Sequence, residues 1–414
     1  MGDGPTTASS YRPLLLVLFA AAGTFALTMG ARQSMGLFIG SINTQTGLGL
    51  ASVSLAFAFG QLWWGLTQPL AGIVADKYGP GRVLVVGVLL VAAGTLLIPQ
   101  MQSTAGLILA IGVLAAGGAG MAGPSVLMAA VTRLVPPAKR AMATSVVNAG
   151  GSFGQFVFAP VAQAVTAAAG WMAAVQTLGV LMLLALPAAF ALRAPPQTAQ
   201  AAAQPREGTR QAVSRALADP SFRLLALGFS VCGFHVAFLA THLPSVVSSC
   251  GLTPEVGAWS LAMLGLFNIV GSLGIGALMG WRGGRLPMKR LLSAIYATRA
   301  VAVLLFMLAP KTATVMLVFA AVMGLTFLST VPPTAGLVAR FFGPTHMATL
   351  FGLVMVSHQV GGFLGAWLGG KAFVAFGNYD WMWVADILLA VAAALVHWPI
   401  REARPAPVLQ TGTV

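Results

Sequence analysis

Acidic side chains are scarce in this chain. Its 414 residues hold eight, Asp3, Asp76, Glu207, Asp219, Glu255, Asp380, Asp386 and Glu402, against 22 Lys and Arg. His, Cys, Asp and Glu nowhere take the spacing of a metal site, and no nucleophile-base motif or phosphate-binding loop appears. The reading is therefore of a protein without metal or cofactor that is not an enzyme. Cysteine is also sparse. Cys232 and Cys250 stand at opposite ends of one predicted helix, and a bridge needs Cα atoms within about 7 Å, so they do not pair with each other. Long polar stretches are missing too: the longest gap between apolar runs, residues 193–222, is too short for the soluble output domain of a ligand sensor.

Apolar runs fill the rest, and mean hydropathy is +0.88. Twelve segments stand out, at 14–38, 52–75, 83–100, 105–130, 142–166, 171–192, 224–247, 257–280, 291–309, 312–336, 348–374 and 381–400. Most reach the roughly 20 residues that a helix needs to cross a hydrocarbon core. Backbone polar groups cannot stay unpaired in lipid, which leaves helices or a closed barrel, and unbroken apolarity lacks the alternation of barrel strands. The expected fold class is all-α, a membrane protein of twelve transmembrane helices. The first run is too long for a signal-peptide core and eleven more follow, so it is read as a retained helix.

Eighteen of the 22 Lys and Arg residues fall at the termini or in gaps that share one side of such a topology. Cationic loops mark the cytoplasmic side, so both termini and the 193–222 linker are expected there, in a cell inner membrane. The net charge of +14 is then an orientation device with affinity for anionic membrane lipids, and nucleic acid is not an expected partner. Six segments lie on either side of the linker, giving an N-terminal bundle over 1–192 and a C-terminal bundle over 223–414. Repeated halves are a common plan among transporters. Aligning the first and seventh segments on Gly23 and Gly233 sets Arg32 against His242, a match that two pseudo-symmetric halves would produce. Glycine is dense in the fourth, fifth and eleventh segments, where small residues let helix backbones approach.

Between the second and third segments the sequence reads Gly72-Ile-Val-Ala-Asp76-Lys77-Tyr-Gly79-Pro-Gly81-Arg82. This resembles the signature loop of the major facilitator superfamily. The resemblance implies two six-helix bundles working by alternating access, with Gly72, Asp76, Lys77, Gly79 and Arg82 in a gating role. The corresponding stretch after the eighth segment, Gly276-Ala-Leu-Met-Gly280-Trp281-Arg282, keeps glycine and base but lacks the acid. Within the superfamily, Gly30-Ala-Arg32-Gln33-Ser34-Met-Gly36-Leu-Phe38 is similar to bacterial relatives of the monocarboxylate transporters and the oxalate:formate antiporters. That similarity places Arg32 on an anion pathway. The chain departs from those families in the eighth segment, where Asn268-Ile-Val-Gly-Ser272 stands in place of an Arg, and in the eleventh, which offers Ser357, His358 and Gln359 in place of a Lys.

An Arg in a membrane helix costs about 2.5–3.5 kcal/mol on insertion scales and ordinarily faces a partner or a wet cavity. The superfamily's cavity-lining segments contain no acid here, so an anionic substrate is the expected partner of Arg32; snorkelling of Arg32 to the outer interface is the bland alternative. His235, His242 and His358, with Asn148 and Gln359, complete the expected substrate-binding set. Each lone His is equally readable as a packing residue. Arg299 and Asp386, on segments that the superfamily keeps outside its cavity, are expected to form a buried structural ion pair. The expected function is secondary transport of a small organic anion, a monocarboxylate first among the candidates, by a monomer, with proton symport or anion exchange. An exporter of hydrophobic compounds on the same fold and a non-transporting ligand sensor are the alternatives.

Overall fold

Eleven helical runs are long and apolar enough to cross a membrane, and the described residues include no strand. One run, Ala143–Ala191, has 49 residues. At ~1.5 Å per residue it is more than twice the thickness of a hydrocarbon core, so it must supply two spans. Gly170, at φ 85° and ψ 163°, makes the break, in a region of backbone space that glycine adopts without a Cβ penalty. The all-α, twelve-helix expectation is met. The structure is a computed structural model that describes residues 8–135, 140–193, 209–280, 286–342 and 347–402.

The spans are numbered α1–α12 in chain order. Helix α1 is Ala8–Ser34 and runs on through a short turn into Ile39–Thr46; α2 is Leu50–Tyr78 and α3 is Pro80–Leu97. Helix α4 begins at Thr104, is wound as a π-helix over Ile108–Ala116, and resumes after Gly123 as Pro124–Leu134. Helices α5 and α6 are the two parts of Arg140–Met182, with α6 extended by Leu186–Ala191. Then follow α7 Pro220–Ser249, α8 Pro254–Gly280, α9 Met288–Leu308, α10 Ala313–Thr326 continued as Val331–Phe342, α11 Met347–Phe376 and α12 Asp380–His397. Local chemistry explains several ends. Asp219 caps α7 by accepting from the Phe222 N–H at 2.9 Å, with Pro220 at the first helical position. Lys311 caps the carboxyl end of α9, its Nζ donating to the carbonyls of Phe306, Met307 and Ala309.

Equivalent helix pairs in the two halves meet through glycine. Gly150 and Gly154 bring α5 onto the backbone of Ala22 and Ala26 in α1, while Gly361 and Gly365 bring α11 onto Ser230 and Phe234 in α7. A side chain at any of these four positions would collide with main chain, so backbone contact does the packing that apolar burial does in water. Outward faces carry large apolar residues such as Phe19, Leu184, Leu308, Leu388 and Leu395, as a lipid-facing surface requires.

Between the halves, α2 lies along α11 and α5 along α8. Asn268 of α8 donates to Ser152 of α5 at 2.9 Å and accepts the Leu328 N–H at 3.0 Å. The halves touch at the end away from the linker: Gly36 abuts the Ala240 carbonyl, and Gly370 abuts Ser54 and Leu50. Gln359 lies on Gly65 at mid-height. The same antiparallel register sets Gly72 opposite Gly352, yet neither has any atom within 4 Å of where a Cβ would stand, and Gly274 and Gly276 of α8 are equally free. The two bundles are therefore closed at the far end and parted at the linker end.

Candidate substrate site

Arg32 is half-buried in α1. Its Nη2 donates to Gln61 Oε1 of α2, and its guanidinium carbon lies 4.5 Å from the centre of the Trp64 ring. Both partners are neutral, and among the described residues no carboxylate lies within salt-bridge distance of it. The cation is solvated by an amide oxygen and an aromatic face, which orient it without cancelling its charge.

Arg32 and Gln61 open onto a cavity of about 50 Å³ whose other polar walls are Thr28 and Thr95. Ile111, Ala115 and Ala116, all within the π-wound stretch of α4, form part of its apolar lining, together with Phe57, Val91 and Ile98. Such windings are rare and recur at functional sites. Gln61 also borders the opposite half, since a Cβ on Gly362 of α11 would stand 3.6 Å from its own Cβ. One turn along, Gln359 packs on Gly65 and its Nε2 lies 3.3 Å from His358 Nδ1. Arg32 with Gln61, and Gln359 one turn away, thus border the contact between halves.

The remaining predicted binding residues lie elsewhere. His242 is fully buried, and its Nε2 meets the Ala366 carbonyl at 2.7 Å while Phe238 and Tyr379 cover the ring. The matching of Arg32 with His242 has no counterpart in their surroundings: one borders a cavity, the other is held on a neighbouring backbone. Gly23 and Gly233, on which that alignment rests, differ as well, one open and one pressed on the His358 carbonyl. Asn148 is exposed on α5.

His235 belongs to a separate cluster inside the C-terminal half. Arg299 of α9, only 1% exposed, donates through Nη2 to the Thr326 carbonyl and, at 2.7 Å, to the Phe327 carbonyl. Its Nε reaches Thr326 Oγ1 at 3.3 Å, and Nη1 lies 3.4 Å from His235 Nδ1. On the other edge of that ring, His235 Nε2 stands 3.3 Å from Asp386 Oδ1 of α12. The direct Arg299–Asp386 pair expected from sequence is not formed, because the imidazole is interposed. Its physical reason is the offset in depth between the two residues, which the ring spans. Sequence reasoning missed this contact, whose one readable sign was that three ionisable residues of α7, α9 and α12 share the membrane interior.

In the signature loop, Gly79 takes φ 90° and returns its N–H to the Ala75 carbonyl at 2.9 Å, ending α2 so that Pro80 can begin α3. Lys77 and Arg82 are exposed, and Gly72 faces the open cleft. The side chain of Asp76 lies outside the described residues.

Comparison with known proteins agrees with this architecture. The family model described as Major Facilitator Superfamily matches residues 14–296. Monocarboxylate transporter 13 of Rattus norvegicus is 26% identical over 389 residues, 93% of this chain and 88% of that protein. The oxalate:formate antiporter of Oxalobacter formigenes is 26% identical over 406 residues, 94% of this chain and 92% of the relative. Among solved structures, a bacterial homologue of the human lysosomal transporter Spinster, in an inward-facing and unoccupied conformation, superposes with a TM-score of 0.73 over 95% of this chain and 97% of its own, at 16% identity. Apolar helices long enough to cross a membrane, the loop at Gly72–Arg82 and this match over most of the chain make the protein a member of the major facilitator superfamily.

Proposed function

We propose that this protein is a secondary transporter of small organic anions, monocarboxylates first among them, in which the bundles 1–192 and 223–414 alternate access to a site built around Arg32. The observation that carries the reading is a membrane-embedded arginine whose partners are both neutral, at the edge of a small cavity beside the contact between halves. A carboxylate entering there gains a charge-assisted bond, and Gln61, Thr28 and Thr95 supply neutral hydrogen-bonding groups around it. The names of the relatives, one a monocarboxylate transporter and one an oxalate:formate antiporter, point the same way. The parted end of the bundles is the cytoplasmic one by the distribution of Lys and Arg, which gives this conformation an inward opening. Closure would bring Gly72 against Gly352, with the signature loop as the gate. Either proton symport or anion exchange completes the cycle in an inner-membrane monomer.

Uptake of labelled formate, lactate, oxalate and succinate into proteoliposomes, with each anion also loaded inside, tests the reading. Saturable uptake of a monocarboxylate supports it. No flux of any of the four in either format contradicts it.

A further inference from the structure

We propose that Asp386 is a proton-binding site inside the C-terminal half, outside the substrate cleft, with His235 as its positioning residue and Arg299 as a fixed countercharge. Asp386 is the one acid of the eight in the sequence that sits well inside an apolar span, seven residues into α12. It is wholly buried, and neither carboxyl oxygen has a hydrogen-bond partner. A carboxylate kept for structure alone would be expected to accept bonds from the nearby guanidinium, because an ionised group left bare in such surroundings is costly. Arg299 instead directs Nη2 and Nε to Thr326 and Phe327. It contributes charge to the cluster without a bond to Asp386.

Donor and acceptor roles set the tautomer of the ring between them. Arginine has donors only, so His235 Nδ1, facing Arg299 Nη1, is the acceptor and the ring proton resides on Nε2, which stands 3.3 Å from Asp386 Oδ1 without making a hydrogen bond to it. A second proton on the ring would have to sit against the guanidinium. The carboxylate is the free acceptor of the cluster, and a proton arriving from water forms the O–H bond there. Beyond the cluster, Arg299 Nη2 lies 3.6 Å from Cys232 Sγ, which lies 3.1 Å from Thr330 Oγ1. The titratable group nearest Asp386 is His235 of α7, with Arg299 of α9 on its far side; Arg299 in turn borders Tyr296 of α9 and Cys232 of α7, and His358 of α11 lies beside Cys232. Further off are His397 on α12 itself, stacked on Tyr296, and His242 with Tyr379 toward the far end. From α10 come only Thr326 and Thr330. No acid lies on a cavity-lining span, but the contact of α12 with His235 on α7 brings Asp386 next to one.

Infrared difference spectra of the purified protein between about pH 5 and pH 8 test the site without any substrate. A buried carboxyl band that appears on acidification is expected in native protein, is lost in Asp386→Asn, and loses its pH dependence in His235→Gln. A native spectrum without a band attributable to Asp386 overturns the proposal. Should Asp386→Asn fail to fold, Asp386→Glu is expected to keep a pH-dependent band at a displaced frequency, and an unchanged band overturns the assignment. A second arm, which rests on the transport reading, follows labelled formate and lactate uptake under an inward proton gradient. Asp386→Asn is expected to keep exchange and lose the response to the gradient. Were native protein to take up neither anion while the band was present, the substrate reading would fail and the proton site would stand. An undiminished gradient response in Asp386→Asn would overturn the role in coupling.

Discussion

Arg32 in the N-terminal half and Arg299 in the C-terminal half are both carried into the membrane by apolar helices, but their surroundings differ. Arg299 is sealed from solvent and directs its donors to two main-chain carbonyls, a threonine hydroxyl and a histidine, with an acid beyond. Arg32 is half-buried, holds one amide oxygen and one aromatic face, and borders a cavity. The first cation is saturated by the protein. The second has donors left for something else, and that difference, rather than the presence of an arginine, is what singles out a binding site from a structural one.

The sharpest way to break the comparison is to remove the saturated charge. Arg299→Met leaves Asp386, His235 and two carbonyls without their counterpart, and loss of one partner of a buried charged cluster costs about 3–5 kcal/mol. Thermal unfolding in detergent is expected to show a large fall in midpoint; an unchanged midpoint would make Arg299 no more structural than Arg32. Next in size is the contact that holds the far ends together. In Gly36→Val the new side chain meets the Ala240 carbonyl, and overpacking of this kind costs about 1–3 kcal/mol. The balance should move toward a form open at the far end, seen as a longer distance between spin labels on the far ends of α1 and α7. No change in that distance would show that the closed end does not depend on this contact.

The smallest effect expected is at the linker end of the C-terminal half. Glu402 there accepts from Arg340 Nη1 at 2.7 Å and from the Lys289 N–H at 2.7 Å. Glu402→Gln should cost about 0.5–1 kcal/mol, since a partly exposed ion pair is weak, with a small drop in midpoint that added salt largely masks. A loss as large as that for Arg299→Met would mean that the surface tie, not the buried cluster, anchors α12.

Much of this architecture was legible in the sequence. Span length, cationic loops and the turn at Gly79 report directly on lipid thickness and helix ends, and these do not depend on which helices become neighbours. Arg32 was legible for a related reason, since a charge in an apolar run is costly wherever the run lands. What was not legible depends on rotation about helix axes. His242 and Arg32 follow matching glycines by the same nine residues, yet one side chain reaches the Ala366 carbonyl and the other Gln61. Segment numbering set Arg299 and Asp386 together as outer helices, but the imidazole of His235, on a helix between them, is what joins the two. The π-winding of α4 beside Arg32 leaves no pattern in composition, because alanine and glycine accept either winding.

In the proposed transport cycle Arg32 is the residue a substrate anion meets. The most direct test of that role is initial uptake of labelled formate and lactate by proteoliposomes holding equal amounts of native, Arg32→Gln and Arg32→Lys protein of matched thermal stability. Loss of a charge-assisted bond worth about 1.5–3 kcal/mol predicts a fall of about ten- to a hundredfold in Arg32→Gln, with partial recovery in Arg32→Lys, where the charge returns without the planar fork. Uptake by Arg32→Gln at the native rate would contradict the account.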